Sequence, residues 1–281
     1  MDVTYQGTQR ELHSGTGVLR YHEAGDGPPL LLLHGSGIGV SGWRNYRANL
    51  GVFADRFHCY ALEFPGFGIS DPVPGNPVTA AVDSVGRLMD ALDLESACVI
   101  GNSLGAVVAS QVAMARPERV RRLVAVGGIG ASLLSPDPSE GTRLLRRFAD
   151  DPTREHLVHW LECMIHDPAL LTRELIEERW ASAATPAARA SIEAMYGSEA
   201  IAQRQRAISG ARPYWSRLPT LTCPTLLAWG ANDRQCPLDM ALIAQRLVPR
   251  AELHVFPQCG HWVMYEAKEA FERVALEFLC R

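Results

Sequence analysis

The most informative run of this chain is Ala97-Cys98-Val99-Ile100-Gly101-Asn102-Ser103-Leu104-Gly105, in which an apolar stretch leads into a serine between two glycines. Small residues follow from Ala106 to Ala115, so the pattern predicts a buried strand, a sharp turn and a buried helix. A serine on such a turn has its hydroxyl exposed above the sheet, because the glycines let the backbone turn without side-chain collisions. The run therefore indicates a nucleophile at Ser103.

Strand and helix patterns alternate on both sides of this run. Apolar stretches predict strands at residues 17–23, 29–33, 57–62, 97–100, 121–126, 225–229 and 251–256. Helical patterns fall at residues 43–53, 79–93, 106–115, 238–248 and 266–280. Such alternation predicts an α/β fold with a mostly parallel sheet and helices on both faces. The first two strands flank a turn rich in glycine and proline, and we expect them to pair as a hairpin.

The alternation stops between residues 133 and 215. This stretch contains several helical segments and many arginines and aromatics, but no convincing strand pattern. A sheet interrupted once by helices predicts a core domain with an inserted helical lid. We therefore expect the core to comprise residues 1–132 and 216–281, with the lid at residues 133–215.

The composition argues against several classes of partner. The 281 residues carry 27 basic and 31 acidic side chains, well mixed along the chain, so we expect neither nucleic acid nor a membrane as a partner. Seven cysteines without paired spacing indicate reduced thiols, and the first six residues do not resemble a secretion signal. An apolar stretch of about 18 residues, which a membrane span needs, does not occur. We expect a cytoplasmic protein that acts on a small molecule.

A serine nucleophile needs a base within hydrogen-bond reach and a group that orients the base. Among nine histidines, His261 follows the last predicted strand, in a loop that would face Ser103 at the carboxyl edge of the sheet. Asp233 follows the preceding strand and is the expected acid, whereas His254 lies within a strand and is expected to be structural. Ser103, Asp233 and His261 therefore stand in the chain order of a known type of catalytic triad.

Each member of this set also has a purely structural interpretation. The serine could lie in an ordinary tight turn, the histidine in a solvated loop, and the aspartate at the start of a helix. All three follow predicted strands in the order that catalysis requires, and this coincidence favours the catalytic interpretation.

A hydrolytic site also needs backbone N–H donors for the negative charge that develops on the substrate oxygen. Leu104 supplies one donor, because it directly follows the nucleophile. The loop His34-Gly35-Ser36-Gly37 follows a buried strand, and we expect the N–H of Ser36 to be the second donor. A flexible turn is the structural alternative for this loop.

The same loop permits a competing interpretation. Residues Gly37-Ile38-Gly39-Val40-Ser41-Gly42 match the G-x-G-x-x-G pattern of dinucleotide binding, and Glu63 ends the next strand about twenty residues later. Under that interpretation Ser103, Asp233 and His261 would have no catalytic role. We therefore expect neither a cofactor nor a metal ion.

Together these motifs resemble the meta-cleavage-product hydrolases, which have the α/β-hydrolase fold. The resemblance is carried by residues 33–43, by Gly101-Asn102-Ser103, by Glu178-Arg179-Trp180 and by Gly260-His261-Trp262. Members of that family are serine-dependent enzymes that hydrolyse a carbon–carbon bond in ring-fission products of aromatic catabolism. The resemblance implies the same activity here, and it also implies a homo-oligomer.

The resemblance further implies a pocket for an anionic 2-hydroxy-6-oxo-hexa-2,4-dienoate. The residues carried over to this pocket are Asn45, Asn102, Arg179 and Trp262. The substrate would first ketonise, with His261 as the proton carrier. The C6 carbonyl would then be attacked by Ser103 or by a water that Ser103 activates, and the C5–C6 bond would break. The residues do not distinguish these two roles of the serine.

Three positions depart from the family pattern, which would place proline at Ile38, glycine at Ala106 and an apolar aromatic at Gln235. The polar Gln235 bears on the substrate side chain more than on the chemistry. A carboxylesterase or lactonase with the same triad is the first alternative function, because fold and triad do not determine the scissile bond. A ligand-binding receptor on the same fold is a more distant one.

Overall fold

The computed structural model describes residues 3–14, 17–207, 210 and 212–281. The strands are β1 (Gln9–Ser14), β2 (Gly17–Ala24), β3 (Pro29–Leu33), β4 (His58–Leu62), β5 (Ala97–Asn102), β6 (Val120–Val126), β7 (Thr225–Gly230) and β8 (Ala251–Phe256). They form one eight-stranded sheet in the order β1-β2-β4-β3-β5-β6-β7-β8. The strands from β4 to β8 are parallel, and β1 and β2 are antiparallel to their neighbours. The predicted mostly parallel sheet is confirmed.

The prediction that the strands at residues 17–23 and 29–33 pair as a hairpin is wrong. β2 does not pair with β3, because β4 lies between them and pairs antiparallel with β2 and parallel with β3. β2 instead forms a hairpin with β1, a strand that the sequence pattern did not indicate. A turn between two apolar runs shows only that the chain reverses, and the choice of neighbouring strand depends on segments farther along the chain.

Helices connect the strands. They are α1 (Tyr5–Thr8), α2 (Gly42–Ala54), α3 (Pro77–Ala91), α4 (Leu104–Ala115), α5 (Glu140–Asp150), α6 (Arg154–Met164), α7 (Arg173–Ala183), α8 (Pro186–Tyr196), α9 (Ser198–Ala207), α10 (Leu238–Leu247), α11 (Val263–Glu266) and α12 (Lys268–Leu279). Short 3₁₀ helices lie at Pro117–Arg119, Pro168–Leu170 and Tyr214–Thr220. None of the helices in the described ranges is long and apolar enough to cross a membrane.

The sheet is buried on both faces. Side chains of a strand alternate between the faces, so Leu31 and Leu33 of β3 contact one apolar core while Leu30 and Leu32 contact the other. Helices α3, α4 and α10 contribute to the first core, and α2 and α12 contribute to the second. Because both faces are buried, the strands have apolar residues at successive positions in the sequence.

Helices α5 to α9 lie between β6 and β7, within the stretch predicted as a lid. Trp160 of α6 packs against the loop after β3, so close to Gly37 that a Cβ on this glycine would lie 2.5 Å from the indole ring. Leu145 of α5 and Leu157 of α6 join the second core. The lid boundaries at residues 133 and 215 stay predictions, and residues 208, 209 and 211 of that stretch, like Met1 and Asp2, lie outside the described residues.

Candidate active site

Ser103 lies on a sharp turn between β5 and α4. Its φ of 54° and ψ of −113° are values that residues other than glycine rarely adopt. A Cβ added to Gly101 would lie 2.4 Å from the carbonyl oxygen of Gly105, and one added to Gly105 would lie 2.0 Å from that of Leu33. The close approach of strand and helix therefore requires both glycines, and it holds the serine at the carboxyl edge of the sheet.

His261 and Asp233 form a buried pair in the loops after β8 and β7. Nδ1 of His261 lies 2.7 Å from Oδ2 of Asp233. Oδ1 of the same carboxylate accepts hydrogen bonds from the backbone N–H groups of Gln235 at 2.8 Å and Cys236 at 2.7 Å. These donors orient the carboxylate, which can hold the imidazole proton on Nδ1 and leave Nε2 able to accept a proton.

Ser103 and His261 lie on the wall of one cavity. In the part of the chain that the structure describes, no hydrogen bond joins their side chains, and such catalytic bonds often tighten only when substrate is bound. The cavity encloses about 20 Å³, room for about one water molecule. Any larger ligand therefore enters only when side chains of the wall move.

The loop after β3 passes directly over the nucleophile. A Cβ added to Gly35 would lie 3.4 Å from Cβ of Ser103. The next residue, Ser36, has a backbone N–H without a hydrogen-bond partner among the described residues. Leu104 begins α4, so its N–H belongs to the first helical turn, where no intrahelical acceptor exists. The two predicted oxyanion donors thus lie on the two segments that flank Ser103.

Arg179 is the most unusual charged residue of this site. It lies on α7, is only 5% exposed, and its guanidinium stacks 4.6 Å from the ring centroid of Trp262. Among the described residues its side chain forms one hydrogen bond, which Nη1 donates to the carbonyl oxygen of Ile38 at 3.3 Å. Burial lowers the pKa of Arg179 to about 10, so it stays charged at neutral pH. An arginine on a helix more often lies in solvent with a purely structural role, and the burial of Arg179 does not fit that role.

The carboxylate nearest in sequence to this arginine is already engaged. Glu178 accepts hydrogen bonds from Arg44 at 3.1 Å and from Arg47 at 2.9 and 2.7 Å, both on α2. Within the described ranges, Arg179 forms no ion pair. An uncompensated buried charge is costly, so this guanidinium is suited to bind an anion that enters the cavity.

Two asparagines complete the polar wall of the cavity. Asn102 is buried at the end of β5, where its Nδ2 donates to the carbonyl oxygen of Val126 at 3.2 Å. Nδ2 of Asn45, on α2, is buried without a hydrogen-bond partner among the described residues. Seven of the nine predicted site residues line the cavity, and the other two, Leu104 and Asp233, stand directly behind Ser103 and His261.

The apolar part of the cavity was not predicted from the sequence. Leu145, Trp160, Met164 and Tyr196, all from the helices between β6 and β7, line it together with Val40. The hydroxyl of Tyr196 lies 2.5 Å from that of Ser36. The high aromatic content of the predicted lid was the only sequence signal for these residues, since each reaches the site through the packing of a helix.

Glu63 argues against the dinucleotide interpretation of the glycine-rich loop. Its carboxylate accepts hydrogen bonds from the backbone N–H groups of Gly42 at 2.8 Å and Trp43 at 3.0 Å. A bound pyrophosphate would need these N–H groups at the start of α2. Burial raises the pKa of Glu63 to about 7, and its side chain already accepts from the N–H groups that a phosphate would use.

One group of potential metal ligands occurs in the described ranges. The donor atoms of Asp233, Cys236 and His261 lie within 4.8 Å of one another. Burial raises the pKa of the Cys236 thiol well above its usual value, so the thiolate that a metal prefers is disfavoured. The hydrogen bond between Asp233 and His261 already uses the other two donors.

The chain is similar in sequence to known hydrolases. The model of the alpha/beta hydrolase family matches residues 30–274. A 2-hydroxy-6-oxo-6-phenylhexa-2,4-dienoate hydrolase of Burkholderia cepacia is 36% identical over 93% of this chain and 91% of its own length. A 2-hydroxy-6-oxononadienedioate/2-hydroxy-6-oxononatrienedioate hydrolase of a Pseudomonas species is 35% identical over 94% of this chain and 93% of its own.

Solved structures of similar hydrolases superpose closely on this chain. A meta-cleavage product hydrolase from Pseudomonas fluorescens IP01 superposes with a TM-score of 0.86 and 30% identity, over 97% of this chain and 98% of its own. A 2-hydroxy-6-oxo-6-phenylhexa-2,4-dienoate hydrolase from Rhodococcus sp. strain RHA1 superposes with a TM-score of 0.87 and 26% identity, over the same shares of the two chains. The chain therefore belongs to the alpha/beta hydrolase family, within the group of the meta-cleavage product hydrolases.

Proposed function

We propose that this protein hydrolyses the C5–C6 bond of a 2-hydroxy-6-oxo-hexa-2,4-dienoate, a ring-fission product of aromatic catabolism. The observation that carries the proposal is the buried Arg179, without an ion-pair partner in the described ranges, in the cavity that Ser103 and His261 line. The carboxylate of a dienoate would pair with this guanidinium. The similarity to hydrolases named for dienoate substrates supports the same conclusion.

In the first step the dienoate ketonises. The enol proton on the C2 oxygen leaves, the C2 carbonyl forms, and C5 receives a proton. His261 is the proton carrier in this proposal, because Asp233 holds the proton of Nδ1 and leaves Nε2 as the nitrogen that exchanges a proton with the substrate. Arg179 and the two asparagines hold the carboxylate and the C2 oxygen while the proton moves.

In the second step the C6 carbonyl is attacked. Oγ of Ser103 adds to C6, or it activates the water that adds, and His261 takes the proton. The N–H groups of Ser36 and Leu104 stabilise the resulting oxyanion. The C5–C6 bond then breaks and its electrons move along C5, C4 and C3 to the C2 oxygen, which takes back the proton held by His261, so that 2-hydroxypenta-2,4-dienoate forms. C6 leaves as a carboxylic acid, directly or after hydrolysis of an acyl-enzyme.

The experiment that tests this function is an assay with a coloured dienoate. We expect the purified protein to convert 2-hydroxy-6-oxo-6-phenylhexa-2,4-dienoate, with loss of absorbance and stoichiometric release of benzoate. Rapid turnover of simple aryl esters without turnover of dienoates would instead identify an esterase. Tight binding of the dienoate without turnover of either substrate would point to a receptor.

We expect Arg179→Gln to lower kcat/KM for the dienoate about 100-fold, because a buried charge pair with the substrate is lost. Turnover of a neutral aryl ester should change by less than about 3-fold, since an ester offers no carboxylate to this residue. Arg173→Gln, on the exposed face of the same helix, is the matched control. Equal losses for both substrates in Arg179→Gln would contradict the proposed role.

We also propose a cytoplasmic location and a homo-oligomeric state. All seven cysteines are free thiols, as a reducing compartment would keep them, and the family resemblance supports the oligomer. Sedimentation velocity of the purified protein tests the second proposal, and a mass equal to one chain of 30.8 kDa would contradict it.

A further inference from the structure

His34, the first residue after β3, has no role in the mechanism proposed above. Its ring is fully buried, and both ring nitrogens form hydrogen bonds. Nε2 lies 3.0 Å from the backbone nitrogen of Phe64, and Nδ1 lies 2.6 Å from the carbonyl oxygen of Gly35. The second contact places the ring against the loop that carries the oxyanion donor of Ser36.

The two partners determine the protonation state of the ring. A backbone N–H can only donate, so Nε2 must be unprotonated to accept from Phe64. A carbonyl oxygen can only accept, so Nδ1 must carry the proton that binds Gly35. Both hydrogen bonds therefore exist only in the neutral ring with its proton on Nδ1. Burial lowers the pKa of His34 to about 4, so this form is retained over the neutral range.

The contact with Gly35 also orients the next N–H group. The Gly35–Ser36 peptide bond is trans, since among the described residues only Asp137–Pro138 is cis. In a planar trans peptide the C=O and the N–H point in opposite directions. A ring that holds the carbonyl oxygen of Gly35 on one side therefore directs the N–H of Ser36 to the other.

We propose that His34 is a positioning residue that holds the Gly35–Ser36 peptide with its N–H directed at the substrate oxyanion. The inference rests on the proposed function, in which Ser36 supplies an oxyanion donor. The proximity of Gly35 to Ser103, the buried ring and the unpartnered Ser36 N–H in the described region all support it. A separate hydrogen bond between the hydroxyls of Ser36 and Tyr196 holds the side chain of Ser36.

Two substitutions separate this role from simple packing. His34→Asn retains a donor near the position of Nδ1, so it keeps the bond to Gly35 and loses the one to Phe64. His34→Gln retains an acceptor near the position of Nε2, so it keeps the bond to Phe64 and loses the one to Gly35. Both variants remove the ring, and each loses one buried hydrogen bond, so their stabilities should fall by similar amounts.

We expect kcat of His34→Gln to fall about 100-fold, within the range for loss of an oxyanion donor, with KM nearly unchanged. His34→Asn should retain at least about 10-fold more of kcat than His34→Gln. The rates are measured with the dienoate and with p-nitrophenyl acetate, because an oxyanion forms in both reactions. If the two variants have equal kcat on a substrate that the wild type turns over, the proposed role of His34 is wrong, and the proposed function is unaffected. Failure of the wild type on the dienoate alone would overturn the proposed function and leave the comparison valid on the ester.

A measurement on the wild type keeps the inference testable if the variants do not fold. Nitrogen-15 spectra of histidine-labelled protein at neutral pH should show His34 as the neutral tautomer with its proton on Nδ1. A proton on Nε2, or a charged ring, would overturn the inference, because either state would remove the hydrogen bond from Phe64.

Discussion

Ser103→Ala is expected to lower kcat for carboxylic acid release by at least about 1,000-fold, since the residue supplies either the attacking oxygen or the group that activates water. Ketonisation should survive, because the proton carrier His261 and its partner Asp233 are untouched. Stopped-flow absorbance follows the first step, and chromatography of the released acid follows the second.

The matched control for this variant is Ser84→Ala. Ser84 is a buried serine of α3 whose hydroxyl donates to the carbonyl oxygen of Ala81 at 2.7 Å, and it does not line the cavity. This variant should retain both steps. Acid release at the wild-type rate by Ser103→Ala would contradict the proposed role of Ser103. Mass spectrometry of the quenched wild type separates the two routes, because only direct attack by serine adds an acyl group to the protein.

His261→Ala is expected to impair both steps, with ketonisation slowed about 100-fold to 10,000-fold and acid release slowed at least as much. The reason is that one imidazole moves the proton in ketonisation and accepts the serine or water proton during attack at C6. The same stopped-flow and chromatographic measurements check the two steps separately.

His254→Ala is the matched control for the histidine. His254 is exposed on β8, where its ring contacts Phe256 with centroids 4.5 Å apart, so this variant should keep both rates. A ketonisation rate in His261→Ala equal to that of the wild type would remove His261 from the first step. The contrast between the variants is informative, because Ser103→Ala should lose only cleavage.

The secondary structure of the core was largely predictable, because local patterns carry it. The strand and helix predicted around Ser103 correspond to β5 and α4, and the closing strand and helix correspond to β8 and α12. The small residues of α4 permit close packing on the sheet, and that constraint is visible in the sequence itself. The pairing of β2 was not predictable, since β4, which separates it from β3, comes more than thirty residues later.

The candidate site also has one part that was predictable from the sequence and one part that was not. Ser103, Asp233 and His261 each follow a strand of a parallel sheet, so their meeting at one edge follows from chain order and topology. Tyr196, Trp160 and Met164 reach the cavity only through the packing of helices between β6 and β7, and no local pattern encodes that packing.

The sequence by itself determined the α/β fold, the order of the core elements and the polar residues at the strand ends. These properties follow from hydrophobic periodicity and from residues that permit tight turns, both of which act over a few neighbouring residues.

Tertiary structure alone decided the charge and hydrogen bonding of three buried groups. Arg179 has no ion pair among the described residues, because Arg44 and Arg47 engage the carboxylate of Glu178. Glu63 became a cap of α2, and His34 became a neutral ring held between Phe64 and Gly35. The physical reason is that the charge and hydrogen bonding of a buried group depend on partners brought together from distant parts of the chain.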